Sequence, residues 1–358
     1  MKESFKRLIF LLVLTAIFSI PLTLPYFHQG YFPTHDGEWS VVRLTDMYRE
    51  LKDHQFPARY SGNLNFGFGY PLFEFAYPLP YYLGIPFHFM HLSFVDSIKL
   101  LFLLSVPFSF LGMFFVSRLL WKDDKIAILS AILYLYYPYR LVDLYVRGSL
   151  GESLSLVLFP LIIYGILKFS QNKNLFALLF AGVSFGALIM THNIMALEFL
   201  PIILLIMAIA VYNTKKEKIS LSLRYLSILL IGFGISAFFW IPALAEKKLV
   251  ALSVTPIDNI LMYFVNPLQL IYSPWAYGGN SISYQLGIVQ LFILVCVLFI
   301  LILKKHTKVT DIQKKLSIGI LFLTILYVLL LFPFTIFLWK TVPLMSDITY
   351  PWTLLAPI

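Results

Sequence analysis

Charge is what this 358-residue sequence has least of. Asp, Glu, Lys and Arg together make up 13% of it, about half the share of a soluble domain. Hydrophobic residues reach 59%, with 34 Phe and 22 Tyr, more apolar surface than one buried core can hide. A disordered chain and a water-soluble enzyme are thereby excluded, and the mean hydropathy of +0.83 makes lipid the solvent for much of the chain. There is one cysteine, Cys296, inside a Leu/Val/Phe run. A single thiol excludes an internal disulfide, a zinc-cysteine cluster and a redox pair, and in such a run it reads as an inert buried side chain. Also missing are a Walker loop, a dinucleotide-binding glycine fingerprint, a zincin helix and a Gly-x-Ser-x-Gly elbow, which disfavours an ATP-driven pump. The net charge of +9 lies in short clusters between apolar runs, with no aromatic-lined polar face beside them. It reads as membrane topology, and no nucleic-acid partner is expected.

What is present is a series of apolar runs of about 17 residues or more, long enough to cross a hydrocarbon core as helices. Nine are expected: Leu8 to Leu24, Ile98 to Leu120, Ile126 to Pro138, Ser153 to Phe169, Leu175 to Met190, Ile194 to Tyr212, Tyr225 to Leu244, Leu286 to Leu303 and Leu316 to Leu338. The third is the shortest. The fold class is therefore an all-α polytopic membrane protein, a single transmembrane domain over residues 1–358. Alternate connections hold 17 Lys/Arg against 5 Asp/Glu, and the other set holds 10 against 13. The positive-inside rule then puts the N-terminus in the cytoplasm. The first run has no small-residue cleavage site and leads into Pro-Leu-Thr-Leu-Pro, so it reads as an uncleaved anchor. Tyr350 to Ile358 opens a further apolar stretch, from which we expect the native chain to continue.

Short basic turns and long opposite loops place the polar chemistry on the outer face. The first outer loop, residues 25–97, is far longer than a connection requires. Within it Val41, Leu44, Met47, Tyr48 and Leu51 recur at helical spacing, with Arg43, Asp46, Arg49, Glu50 and Asp53 between them. This predicts an amphipathic helix ending near Pro57, of the kind that lies in a membrane interface. Tyr81 to Leu92 predicts a second interfacial or re-entrant helix. Between them, glycines and Pro71 punctuate Phe66, Phe68, Tyr70, Phe73, Phe75 and Tyr77, which suit either an aromatic belt or a lipid- or sugar-holding surface.

His35-Asp36-Gly37-Glu38, just before the amphipathic helix, is the sharpest local feature. Asp36 and Glu38 beside an imidazole suit a divalent cation such as Mg or Mn, or a general base. They equally suit a helix start, with Asp36 as N-cap and Glu38 complementing the dipole. In the second outer loop Arg140, Asp143, Arg147 and Glu152 are too costly to face lipid, so they face one another, water or a ligand. Arg147, next to Gly148, has the fork geometry for a phosphate; an interhelical ion-pair network accounts for the same residues. His192 and Asn193 occupy a tight outer turn, as turn residues or as ligand contacts. Glu198 and Glu246 add acids at the outer rim. The fourth outer loop, residues 245–285, carries Trp275-Ala276-Tyr277-Gly278-Gly279-Asn280 and is placed to cover a site.

These features together resemble the GT-C superfamily of integral-membrane glycosyltransferases: an uncleaved first span, a long first outer loop opening on an acidic motif, interfacial helices and a helix bundle behind them. More narrowly, His35-Asp36-Gly37, Phe56-Pro57-Ala58-Arg59-Tyr60, Gly67 to Phe73, Pro78 to Tyr82, Tyr139-Arg140, Tyr145-Val146-Arg147-Gly148 with Glu152, and Thr191-His192-Asn193 resemble prokaryotic membrane proteins catalogued as related to 6-pyruvoyl-tetrahydropterin synthase. The metal-binding His set of a soluble pterin enzyme is not offered here, and that activity is not implied. The resemblance implies a polyprenyl-phosphate-linked sugar donor arriving through the membrane, an acceptor of unspecified kind, and a multi-pass protein of the prokaryotic plasma membrane. It makes Asp36 the base or metal ligand, with Glu38 beside it. Arg59, Arg140, Arg147 and His192 become donor-phosphate candidates, and His35, Asp143, Glu152, Asn193 and Glu246 acceptor or supporting contacts. Gly37 separates the two acids that the superfamily often has adjacent. Two other classes fit the same residues: a transporter or flippase, which needs ionisable groups near mid-membrane on broken helices, and a noncatalytic assembly partner.

Overall fold

The computed structural model describes residues 2–250, 257–275, 282–302, 309–346 and 348–358. Among these the regular structure is helical, with one isolated bridge between Ser61 and Tyr70. Helix α1 (Lys2–Thr23) leads through residues 24–36 into α2 (Gly37–Lys52), α3 (Leu72–Phe75) and α4 (Leu79–Phe89). The bundle continues with α5 (Phe94–Trp121), α6 (Asp124–Leu135), α7 (Pro138–Val142), α8 (Leu150–Asn172), α9 (Leu175–Thr191), α10 (Asn193–Asn213) and α11 (Lys218–Ile235). It closes with α12 (Ala237–Glu246), α13 (Pro267–Ile271), α14 (Ile288–Ile302), α15 (Asp311–Leu330) and α16 (Ile336–Thr341).

Local chemistry sets the helix ends. Ser93, Asp123, Asn174 and Thr310 accept hydrogen bonds from the first turns of α5, α6, α9 and α15, satisfying donors that would otherwise be orphaned. Helices form where the amphipathic pattern predicts α2 and close to where the short apolar run predicts α4. Leu44 and Met47 of α2 and Tyr81 of α4 are buried with Tyr26, Phe102 and Phe110 in a core shared with α1, α5 and α6. A second core fills α8 to α11 and α15. There α9 and α11 approach backbone to backbone: a Cβ on Gly186 would lie 2.9 Å from the Gly232 carbonyl oxygen, the small-residue contact typical of membrane helix pairs.

Among the described residues six helices are long and apolar enough to cross a membrane: the one spanning Phe5–Phe27, then α5, α8, α10, α11 and α15. The expected third, fifth and eighth spans appear as the shorter apolar helices α6, α9 and α14. The fifth and eighth occupy the expected residues, and the third is corrected. With 12 residues, α6 rises only about 18 Å, and it stops because Pro138 disfavours helical backbone before it. The expected seventh span, Tyr225 to Leu244, is broken at Ser236 into α11 and α12. Helix α15 ends at Leu330, and the rest of the ninth expected span is short turns and α16.

The helices alternate in direction, so their ends gather in two places. At one, Arg7 and Arg118 meet Asp124, the Gln313 side chain bonds the Leu120 carbonyl, and Lys315 bonds Asn213. This is the basic end. At the other, residues 35 and 36 bond residues 146 and 147, and Tyr137 reaches the Leu355 carbonyl at 2.8 Å. Outward faces keep large apolar side chains exposed, among them Phe10, Leu12, Leu230 and Phe299, more than a soluble surface tolerates.

Candidate functional site

The site at the opposite end begins with the way the strand of chain before α2 is pinned. The N–H of His35 donates to the Val146 carbonyl at 3.0 Å, and that of Asp36 to the Arg147 carbonyl at 2.7 Å. Next to this crossing stands Gly148 at φ +61°, where a Cβ would overlap the Thr34 hydroxyl and come within 2.8 Å of the Gly37 nitrogen. Only glycine lets the two backbones approach there.

Thr34 and Glu38, not Asp36, close the start of α2. The Thr34 hydroxyl accepts from the Gly37 N–H at 2.9 Å, and the Glu38 carboxylate accepts from the Thr34 N–H at 3.2 Å and its hydroxyl at 3.1 Å. This is capping-box logic with a one-residue offset. Asp36 holds the N-cap position, yet its side chain makes no cap hydrogen bond and is exposed. The N-cap role expected as one reading of Asp36 is thus corrected, because Thr34 has already taken it. Glu38 is committed to Thr34 through both of its carboxylate oxygens. Among the described residues no group of three or more His, Cys, Asp and Glu side chains is arranged to hold a metal ion.

Behind this crossing lies a buried ion network. A single π-turn, Asp143–Arg147, joins α7 to α8, a local irregularity common at functional sites. It aims Arg147 at Asp143 (2.9 Å) and Glu152 (2.5 Å). Tyr139 donates to Glu152 at 2.5 Å, and the Arg147 guanidinium lies 4.7 Å from the Trp352 ring centroid. With two carboxylates around it, Arg147 is a neutralised centre rather than a free fork for phosphate. His192 caps α10: its Nδ1 accepts the Met195 N–H at 3.2 Å, while Nε2 faces Glu152 at 3.8 Å. Burial lowers its pKa to about 4 against the opposing pull of Glu152. The ring is therefore neutral near pH 7, with its proton on Nε2.

An aromatic stack continues outward from His192. The Tyr77 ring lies 4.8 Å from it and stacks on Tyr81 at 6.4 Å and 11°. Arg43, half-buried on α2, donates to the Tyr81 hydroxyl at 3.3 Å and forms no ion pair among the described residues. The Asp36 carboxylate acts electrostatically on the Tyr77 and Tyr350 phenols, both pushed above the ordinary range chiefly by burial. Tyr350 in turn stacks on Trp352 at 5.5 Å. Beside this group an apolar cavity of about 400 Å³ runs along Phe56, Pro78, Leu79, Met190 and Phe238. Pro78 follows Tyr77 directly, and Met190 is two residues from His192.

The structure thus brings together Asp36, Asp143, Arg147, Glu152 and His192. His35 joins by its backbone, and its side chain is exposed. Arg59 and Glu246 belong elsewhere: Arg59 lies 3.8 Å from Glu74, and the charge of Glu246 acts on that same carboxyl. Arg140 is buried against Ser109, and Asn193 is an exposed first residue of α10. Glu198, expected at the rim, is buried and bonded by Thr353. Of the fourth outer loop, residues 251–256 and 276–281 lie outside the described residues. Sequence reasoning missed Thr34, Arg43, Tyr77 as a stacking partner, and Trp352. The helical spacing marked Arg43 only as a polar-face residue, and no local signal set it apart from Arg49.

A family model described as "6-pyruvoyl-tetrahydropterin synthase related domain; membrane protein" matches residues 73–358. The chain belongs to this family. A relative in this comparison, an uncharacterized protein of Lactococcus lactis subsp. cremoris (strain MG1363), is 25% identical over 281 residues, which make up 76% of this chain and 46% of that protein. Among solved structures, the apo oligosaccharyltransferase of Archaeoglobus fulgidus is similar with a TM-score of 0.53 and 12% identity, over 97% of this chain and 50% of that one. The chain therefore spans about half the length of both. At that identity the likeness is one of fold, and this 6-pyruvoyl-tetrahydropterin synthase-related membrane protein has the GT-C-like fold that its outer-loop motifs led us to expect.

Proposed function

We propose that this protein is a membrane glycosyltransferase that moves a sugar from a polyprenyl-phosphate-linked donor to an acceptor hydroxyl on the outer face of a prokaryotic plasma membrane. The observation that carries the reading is the state of Asp36. Its neighbouring carboxylates Glu38, Asp143 and Glu152 are all committed to partners, whereas Asp36 is held by its backbone and its side chain has no hydrogen bond or ion pair among the described residues. A general base needs that combination of fixed position and free lone pairs.

In the reaction, Asp36 takes the proton of the acceptor hydroxyl as its oxygen forms a bond to the anomeric carbon. The bond from that carbon to the phosphate oxygen breaks, and polyprenyl phosphate departs with the electron pair. Arg43 has no carboxylate of its own among the described residues, so it is the cation best able to meet the growing charge on the phosphate. The Tyr77 phenol stays protonated and offers a hydrogen bond. Arg147, already neutralised, positions the Asp36 backbone instead. The apolar cavity beside Tyr77 and His192 suits the first units of a prenyl chain, which supports a lipid-linked donor. A transporter is less favoured, because Asp143, Arg147, Glu152 and His192 gather at one end of the bundle rather than at its middle.

The test uses membranes containing the intact protein and a polyprenyl-phosphate hexose radiolabelled in the sugar. Wild type is expected to move label out of the lipid phase, and Asp36→Asn to lose about 10²–10⁴-fold of that rate while inserting normally. Equal rates for the two proteins would remove Asp36 as the base.

A further inference from the structure

At the basic end, away from Asp36, three charged side chains converge. Asp124 receives Arg7 on one carboxylate oxygen at 2.6 Å and Arg118 on the other at 2.7 Å. One carboxylate thus serves two guanidinium groups, each through a single nitrogen, and the cluster keeps a net positive charge. The remaining N–H groups of both arginines have no partner among the described residues. Their side chains are 62% and 37% exposed, so an outside anion can reach them. The surroundings add Lys6, Lys122 and Lys125 against Asp123, whose carboxylate is occupied in capping α6.

Directly beside this cluster a cavity of about 200 Å³ opens between α1, α5 and α6, walled by apolar side chains that include Leu11, Leu14, Phe114 and Ile128. The site is therefore amphipathic: two partly satisfied guanidiniums at one end, a hydrocarbon wall at the other. A free inorganic anion would gain from the first and nothing from the second. A phospholipid with an anionic headgroup gains from both, its phosphate completing the arginine forks and the start of one acyl chain filling the cleft.

We propose that Arg7, Arg118 and Asp124, with the cleft beside them, form a binding site for an anionic phospholipid of the leaflet at the basic end. The site is separate from the glycosyl-transfer reading and does not depend on it. It joins α1 to α5 and α6, so the lipid fastens the first helix to the bundle.

Native mass spectrometry of the intact protein in detergent tests this with dioleoylphosphatidylglycerol and dioleoylphosphatidylcholine, and with glycerol 1-phosphate as the same headgroup chemistry without chains. Retention of phosphatidylglycerol over phosphatidylcholine is expected, falling about fivefold for Arg7→Gln and again for Arg118→Gln, with unchanged elution and melting. Asp124→Asn removes the competing carboxylate and is expected to raise phosphatidylglycerol retention, which keeps the test decisive if the double arginine variant fails to fold. Equal retention of the two lipids overturns the proposal. So do displacement of the lipid by equimolar glycerol 1-phosphate, a folded double variant that keeps the preference, and no gain in Asp124→Asn.

Discussion

The backbone N–H of Asp36 donates to the carbonyl of Arg147 across 2.7 Å, so the candidate base hangs on a residue 111 positions away through main chain alone. The Arg147 side chain points the other way, into Asp143 and Glu152. One arginine thereby serves in two ways: its backbone fixes the candidate base, and its side chain fixes the turn that carries that backbone. The predictions below separate these roles.

Gly148→Ala is expected to weaken the crossing without touching a charged group. An alanine at φ +61° costs about 1–2 kcal/mol in backbone strain, and its methyl displaces Thr34 and Gly37. Transfer should fall steeply, with membrane insertion retained. Native turnover in a folded Gly148→Ala protein would show that the seating of Asp36 tolerates movement.

Arg147→Ala leaves Asp143 and Glu152 buried without their cation. Losing one partner of a buried ion pair costs about 3–5 kcal/mol, so the variant should melt lower in detergent and express poorly. Glu152→Gln should be milder, since the amide still accepts from Tyr139. A thermal melt by intrinsic fluorescence reads both.

Arg43→Gln should behave oppositely. No carboxylate is orphaned by the change, so the melting temperature should hold, while turnover of lipid-linked donor falls about 10- to 100-fold for one lost charge-assisted hydrogen bond. Partial recovery in Arg43→Lys is expected, because charge returns but the fork does not. A variant as active as wild type would return the phosphate role to another cation.

His192 makes stability fall in mild acid. Burial depresses its folded pKa to about 4, below the unfolded value near 6.5, so between those limits the unfolded chain binds more protons. The neutral-imidazole contribution is complete above pH 6.5 and is lost as pH falls toward 4, by on the order of 3 kcal/mol. His192→Asn keeps an acceptor for the Met195 N–H but does not titrate. The difference in melting temperature between the two proteins should therefore change between pH 7 and pH 4.5; a constant difference would mean that the imidazole is not held neutral.

Much of the architecture was legible in the residues. Apolar run length fixed where helices form, because backbone polar groups in lipid must be satisfied within the segment. Helical spacing from Val41 to Leu51 announced α2, and the short apolar run from Tyr81 to Leu92 announced α4. Charge asymmetry between loops is matched by the basic end, where Arg7 and Arg118 meet Asp124 and where Lys315 bonds Asn213. The broken third and seventh spans were less legible: hydropathy is indifferent to the turn before Pro138 and to the kink at Ser236, since both lie inside continuous apolar stretches.

The partition of polar residues into committed and free was decided by the tertiary structure alone. In sequence Arg147 is the phosphate candidate and Arg43 only a polar-face residue of an amphipathic helix. Only the fold surrounds one with Asp143 and Glu152 and leaves the other beside phenols. The same holds for Asp36 and Glu38, two carboxylates two residues apart, of which Thr34 binds one. Length, hydropathy and helix periodicity are properties of neighbours along the chain, so the sequence determines them directly. The pairings themselves are short-range, Arg147 with Asp143 and Glu152 and Glu38 with Thr34. The π-turn and the crossing of residue 36 over residue 147 close the site around them, the crossing joining segments far apart in the sequence, and no local pattern carries that geometry.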